Sequence, residues 1–193
     1  MSVIRAFIAI ELPGEIQQRL DQVTTQLKQR LNGLPVRWVP ACNMHLTLKF
    51  LGDVSVANLE ILKEVIQSEA AQVASFEISV GGIGAFPNAQ RPRVVWIGIE
   101  SPPELGSIQT CLENRLAHLG YSREERPFSP HLTLGRISRS ASSTDVRRIG
   151  EAVQACRVGF LGATCVQEIR LYKSELNSGG SVYTCLFSAR LAP

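Results

Sequence analysis

The apolar stretch Phe7-Ile8-Ala9-Ile10 is followed by Pro13, and beyond it Ile16, Leu20, Val23, Leu27 and Leu31 recur at three- and four-residue steps. An extended run closed by a proline turn and followed by this period predicts a strand leading into a helix with one buried face. The pattern returns when Val94-Val95-Trp96-Ile97 is followed by Pro102 and then by Leu105, Ile108, Leu112 and Leu116. Two more helical stretches are marked by Leu59, Leu62, Ile66, Ala70 and Val73, and by Val146, Ile149 and Val153. Alternating Phe76, Ile78 and Val80, and the closing segments 169–172 and 182–187, supply further strands. Asn177-Ser178-Gly179-Gly180 reads as the hairpin turn between the last two.

These similar successions are copies. FIAIELPGEI at residues 7–16 and WIGIESPPEL at residues 96–105 share two Ile, two Glu and a Pro at an offset of 89, and His45-Leu46-Thr47-Leu48 returns as His131-Leu132-Thr133-Leu134 at an offset of 86. Nearly equal offsets are what a duplicated half with small insertions leaves behind. Each half runs strand, helix, strand, helix, strand. Halves of under 100 residues bury too little to stand comfortably alone. The expectation is therefore one α+β globule spanning residues 1–193, with a pseudo-two-fold axis and a cleft between its halves as the place for a site. Ser138-Arg139-Ser140-Ala141-Ser142-Ser143 reads as a mobile surface loop.

In a strand, alternate side chains share a face, so His45 and Thr47 stand on one side and Leu46 and Leu48 on the other. The same holds for His131 and Thr133. A pseudo-two-fold axis would bring the two pairs opposite one another across the cleft. Opening a phosphodiester needs one group to take a proton from the attacking water and another to give a proton to the departing oxygen. Two imidazoles can do both near neutral pH, and Thr hydroxyls can donate to the non-bridging phosphate oxygens. A lone His on a half-apolar strand is usually an interior residue; two identical tetrapeptides at the spacing of a second repeat are not explained that way.

Composition narrows the setting. Lys+Arg 20 against Asp+Glu 17 leaves a net charge of only +3, too mild to coat nucleic acid by charge alone, so an anionic substrate must be held locally. The opening residues lack a charged leader ahead of an apolar stretch, and no apolar run approaches the roughly 18 residues of a membrane span. The expectation is a cytoplasmic protein that engages no membrane. The cysteines, Cys42, Cys111, Cys156, Cys165 and Cys185, are odd in number and scattered, which predicts free and mostly buried thiols. Cys42 lies three residues before His45, but no further ligands recur at a matching position, so no metal site is expected.

His45-Leu46-Thr47-Leu48-Lys49-Phe50-Leu51-Gly52 and the segment from Arg126 to Arg136 resemble the paired His-x-Thr-x motifs of the 2H phosphoesterases. Within that superfamily the chain is most similar to the RNA 2′,3′-cyclic phosphodiesterase branch, also called 2′-5′ RNA ligases. The resemblance runs through Arg5-Ala6-Phe7-Ile8-Ala9-Ile10, Arg37-Trp38-Val39-Pro40, Phe86-Pro87-Asn88 and Leu171-Tyr172-Lys173-Ser174-Glu175-Leu176. It implies two lobes with facing antiparallel sheets, helices outside and a metal-independent site in the groove. It further implies His45 as general acid toward O3′, His131 as general base for water, Thr47, Thr133 and Arg136 on the phosphate, and a 2′-phosphomonoester product. No cofactor is implied. The partners would be RNA ending in a 2′,3′-cyclic phosphate, or cyclic nucleotides, acted on by a monomer. The near symmetry of the motifs leaves the acid and base allocation open.

Strict alternation puts Arg136 on the leucine face, away from the cleft. Either Gly135 marks a bulge or strand end that turns the guanidinium inward, or Arg136 is a surface residue; the resemblance favours the first. Alternation puts Lys49 on the His45 face, at the cleft rim. Phe7 and Trp96 are repeat-equivalent aromatics that either stack on a base or pack in the core, Phe7 being the better base-stacking candidate. Arg91, Arg93, Arg123 and Arg126 either guide an RNA backbone or form a scattered solvated surface, and His118 reads as surface or packing. Two rival functions stand: a sister activity on 2′-5′ oligonucleotides or cyclic ADP-ribose phosphate, and a non-catalytic protein that grips RNA ends.

Overall fold

The computed structural model describes residues 2–100, 102–177 and 180–193. The first repeat comprises β1 (Val3–Glu11), α1 (Gly14–Arg30), β2 (Val36–Trp38), β3 (His45–Ser55), α2 (Leu59–Ala70) and β4 (Phe76–Phe86). The second comprises β5 (Val94–Glu100), α3 (Pro103–His118), β6 (His131–Ile137), α4 (Ser143–Ala155), β7 (Phe160–Val166), β8 (Glu168–Asn177) and β9 (Gly180–Arg190). The periodic residues do what their spacing predicts: Ile16, Leu20 and Leu27 are buried on α1, and Leu105, Ile108, Leu112 and Leu116 on α3. Strands β8 and β9 pair from Glu168 opposite Arg190 to Asn177 opposite Gly180. Of the predicted turn between them, residues 178 and 179 lie outside the described residues.

The strands form two antiparallel sheets, ordered β3-β1-β8-β9 and β2-β6-β5-β4-β7. Repeat-equivalent pairs occupy equivalent places, β3 beside β1 in one sheet and β6 beside β5 in the other. The lobes, however, are not the sequence halves. Strands β2 and β4 of the first repeat join the second sheet, and β8 and β9 of the second repeat join the first. The short connection 87–93 makes a local hairpin of β4 and β5, the pairing that costs least loop entropy. Two of the helices cross over too: α3 of the second repeat backs the first sheet and α1 of the first repeat backs the second, while α2 and α4 back the first and second sheets respectively. Arg19 on α1, for instance, donates to the carbonyl of Leu161 on β7 at 2.7 Å.

One expectation needs correction. None of the five cysteines is buried: Cys42, Cys111, Cys165 and Cys185 are exposed and Cys156 is half-buried. Cys111 and Cys165 take outward positions beside inward ones, next to buried Leu112 and buried Val166. The serine-rich loop ends in a helix cap. Ser142 accepts from the Asp145 amide and the Asp145 carboxylate accepts from the Ser142 amide, a reciprocal pair that starts α4.

The motif strands carry the decisive irregularity. Along β3, Thr47 stands opposite Ala9 and Lys49 opposite Ile8, so Leu48 is inserted without a partner. Along β6, Thr133 stands opposite Trp96 and Gly135 opposite Val95, so Leu134 is inserted in the same way. One extra residue reverses the facing of everything after it. Phe50 and Arg136 consequently emerge on the His face, and Lys49 turns inward to 3% exposure, against the expectation that put it at the cleft rim. Gly135 is required at this bulge because strand β2 crosses it closely: a Cβ there would lie 2.9 Å from Val36 Cγ1 and 3.0 Å from Trp38 Cε3. Gly135→Ala is expected to cost about 1–3 kcal/mol through this overpacking, read as a lowered midpoint of denaturant unfolding.

Candidate active site

Strands β3 and β6 approach one another across the groove. A cavity of about 280 Å³ opens there, lined by His45 and Thr47 from one sheet and by His131, Thr133 and Arg136 from the other. The repeat thus brings together every motif residue that the sequence singled out. Arg5, Phe50 and Tyr183 also line it. Phe50 belongs to the first motif, at the place that Arg136 takes in the second, whereas Arg5 reaches the cavity from β1 and Tyr183 from β9, outside both motifs.

The two imidazoles are held alike. His45 Nδ1 lies 2.9 Å from the carbonyl oxygen of Asn43, and His131 Nδ1 lies 2.7 Å from that of Ser129. A carbonyl only accepts, so in each ring Nδ1 carries the proton and Nε2 is left for other partners. Burial pushes the His45 pKa down from 6.5 to about 4, a shift the Asn43 hydrogen bond partly opposes. Burial also lowers the pKa of His131; the Ser129 carbonyl opposes this and the nearby Arg136 guanidinium adds to it.

Aromatic rings hold the first imidazole in place. Phe7 stacks on His45 at 4.6 Å between ring centroids and on Tyr172 at 5.3 Å, and Tyr183 meets His45 edge-on at 5.2 Å. Phe7 is only 3% exposed and packs on His45, which is the packing alternative of the two that the sequence left open for it. The equivalent Trp96 lies 6.4 Å from His131, with Phe86 edge-on to that imidazole at 4.9 Å. Trp96 fits only because Gly84 is opposite, where a Cβ would fall 2.3 Å from the indole ring.

Comparison with known proteins follows the same duplication. The sequence model of the family described as LigT like Phosphoesterase matches this chain twice in succession, over residues 10–96 and 97–183. The chain belongs to that family. It is 33% identical over 188 residues to an RNA 2′,3′-cyclic phosphodiesterase of Methanothermobacter thermautotrophicus, covering 97% of this chain and 99% of the relative. It is 30% identical over 187 residues to one of Thermotoga maritima, covering 97% and 95%. The crystal structure of Escherichia coli LigT complexed with 3′-AMP superposes with a TM-score of 0.78 at 30% identity, covering all of both chains.

In this LigT-like phosphoesterase a second cavity, of about 670 Å³, adjoins the first and shares Thr47, Phe50 and His131 with it. Arg93 and Arg126 line it, whereas Arg91 and Arg123 line neither. Beneath it, Lys49 Nζ pairs with Glu113 Oε2 at 2.6 Å and donates to the Ser122 carbonyl, while that carboxylate accepts from the Glu124 amide at 3.3 Å. This buried pair ties the loop that leads into His131 to the strand that carries His45. A further cavity of about 660 Å³, lined by Glu11, Arg170 and Arg190, contains none of the motif residues. Among the described residues no group of three or more His, Cys, Asp or Glu is arranged to hold a metal, and no helix is long and apolar enough to cross a membrane. His118 is exposed at the end of α3.

The depressed His45 pKa has a measurable effect on stability. The unfolded imidazole takes up its proton near 6.5 and the folded one near 4, so the unfolded state binds more protons in between. Stability is therefore full above pH 6.5 and falls as the pH drops toward 4, by about 3 kcal/mol from this residue. His45→Gln is expected to flatten that part of the curve in urea unfolding measured from pH 7 to 4.

Proposed function

We propose that this protein opens RNA or nucleoside 2′,3′-cyclic phosphates to 2′-phosphomonoesters by two-histidine acid–base catalysis. The observation that carries the reading is the matched pair of imidazoles in one cavity, each with Nδ1 committed to a carbonyl two residues back and Nε2 free. The relatives named RNA 2′,3′-cyclic phosphodiesterase and the E. coli complex with 3′-AMP support the substrate class.

In the proposed reaction, the Nε2 atom of His131 takes a proton from water as the water oxygen bonds to phosphorus. The bond from phosphorus to O3′ breaks, and protonated His45 gives its Nε2 proton to O3′. Thr47 and Thr133 donate to the non-bridging oxygens, and Arg136 balances their charge. Burial alone leaves both imidazoles without the required proton at neutral pH. The phosphodiester anion supplies what is missing, because a negative charge beside a buried imidazole raises its pKa. Arg136 adds to the burial that disfavours the proton on His131, and burial disfavours it more strongly on His45, so the assignment of His45 as the acid rests on the family resemblance. Since the two imidazoles perform both proton transfers, the scheme needs no metal-bound hydroxide. With a 5′-hydroxyl RNA end in place of water, the same forward step forms an O5′–P bond as the P–O3′ bond breaks and so yields a 2′-5′ linkage without ATP. The working unit is the bilobal chain of residues 1–193, each lobe bringing one His-Thr pair. We place it as a monomer in the cytoplasm, where a reducing pool suits four exposed thiols.

Phosphorus NMR of a cyclic nucleotide incubated with enzyme under exhaustive chelation is expected to show a 2′-phosphate. His45→Ala and His131→Ala should each lower turnover at least ~100-fold with the fold intact. A dominant 3′-phosphate, an absolute need for added divalent metal, or a single variant at wild-type turnover would overturn the scheme.

The pH dependence follows from the same electrostatics. Because both free-enzyme pKa values lie below 6.5, the pH window in which one imidazole is protonated and the other neutral lies on the acid side of that value. The bell of kcat/KM, which reports the free enzyme, is expected to centre below pH 6.5. The bell of kcat should lie at higher pH, because bound phosphate raises both values. Initial rates collected from pH 4 to 9 check this.

A further inference from the structure

The two carbonyls that hold the imidazoles are themselves held by different means. Asn43 and Ser129 occupy the same place before their histidines, at the motif offset of 86. Ser129 is followed by Pro130, whose ring confines the preceding residue to extended backbone, and the Pro130 carbonyl accepts from the Ile99 amide of β5 at 3.3 Å. The chain itself fixes that carbonyl. Asn43 is followed by Met44 and closes a single 3-10 turn, Ala41–Asn43, whose hydrogen-bond geometry is poorer than that of an α-helix. Its carbonyl needs another anchor.

The Asn43 side chain provides one. Its Nδ2 donates to the carbonyl oxygen of Ser181 on β9 at 2.7 Å, joining segments far apart in the chain. A carbonyl only accepts, so the nitrogen end of the carboxamide must face it. The Asn43 amide donates to the Pro40 carbonyl at 2.9 Å, and the Asn43 carbonyl accepts from His45 Nδ1 at 2.9 Å. The residue is thus pinned through its amide, its carbonyl and its side chain at once. Two residues further along β9, Tyr183 meets His45 edge-on at 5.2 Å, and Asn43, His45, Ser181 and Tyr183 line the same cavity. One hydrogen bond sets the carbonyl behind the imidazole relative to the ring beside it.

Building on the two-histidine reading, we propose that Asn43 is a positioning residue for His45: its carboxamide, docked on β9, fixes the carbonyl that keeps a proton on Nδ1 and aims Nε2 into the groove. Without that dock the 41–44 segment is free to turn its carbonyl away, and the imidazole exchanges between tautomers and ring orientations. The fraction of molecules that present Nε2 correctly then falls. Asn43 acts only through the imidazole. His131, whose carbonyl is set by Pro130, is indifferent to it.

The test is Asn43→Ala, with Asn43→Leu beside it because leucine keeps the volume of the side chain and removes its polar end. Turnover of cytidine 2′,3′-cyclic phosphate should lose about 10- to 100-fold in kcat while KM stays within about twofold, the pattern of a misplaced group rather than of lost binding. Nitrogen NMR of the labelled protein above pH 7, where both imidazoles are neutral, should show the His45 proton confined to Nδ1 in the wild type and shared between Nδ1 and Nε2 in the variants, with the His131 signals unchanged. Wild-type kcat in either variant, a lowered kcat with the His45 proton still on Nδ1, or equal disturbance of His45 and His131 overturns the assignment. His45→Ala measured alongside separates the two readings. If it turns over like the wild type, the two-histidine reading fails and this one with it; if it is inactive while Asn43→Ala is fully active, this one alone fails.

Discussion

The site depends on a one-residue slip in strand pairing, made twice. In an ideal antiparallel strand the residue five places after a histidine faces the opposite side of the sheet. Inserting Leu48 and Leu134 breaks that rule at the same step of each motif, so His, Thr and the fifth residue after His line one groove. Without the slip, Arg136 would be buried among the leucines behind the sheet, where an unpaired guanidinium is untenable. Lys49 would stand in the groove and forfeit the buried pair with Glu113 that holds the loop before His131. Cation placement, the entry of Phe50 into the groove and the anchoring of the second motif all follow from the same local break in register.

The duplication supplies symmetry where proton transfer requires it and departs from symmetry where the substrate is asymmetric. Both histidines use a carbonyl two residues upstream to fix the same ring nitrogen, because both strands are entered by the same backbone path. Their surroundings then diverge. His45 sits among the rings of Phe7 and Tyr183, while His131 stands near the Arg136 guanidinium. A water-starved imidazole and one beside a fixed positive charge respond unequally to the same incoming anion. That inequality allows near-identical groups to take opposite roles.

Much of this was legible in the amino-acid order. The two helical periods after Pro13 and Pro102, the repeated His-Leu-Thr-Leu strands and their common groove are all consequences of local spacing, and spacing is what a sequence records directly. Phe7 was visible as an aromatic in the right strand, but whether its face is open or covered depends on Tyr172, which arrives from β8 far along the chain. Lys49 was misjudged because alternation holds only until a bulge, and a bulge at Leu48 has no glycine beside it to mark it, unlike the one at Leu134. The cysteines were misjudged for a plainer reason: a thiol is small enough to be tolerated on either side of a strand or helix.

The exchange of strands between repeats bears on how such a molecule could have arisen. A single repeat standing alone has its fourth strand committed to a sheet that its own chain cannot supply, and its first strand lacks the neighbour that β8 provides. The self-sufficient form of a half-length chain would be two copies that lend each other their terminal strands. Joining the copies head to tail would have turned an intermolecular swap into internal wiring and freed each copy to change independently. On that account the difference between Phe50 and Arg136 became possible only after fusion, because a homodimer must carry the same residue on both sides of its groove.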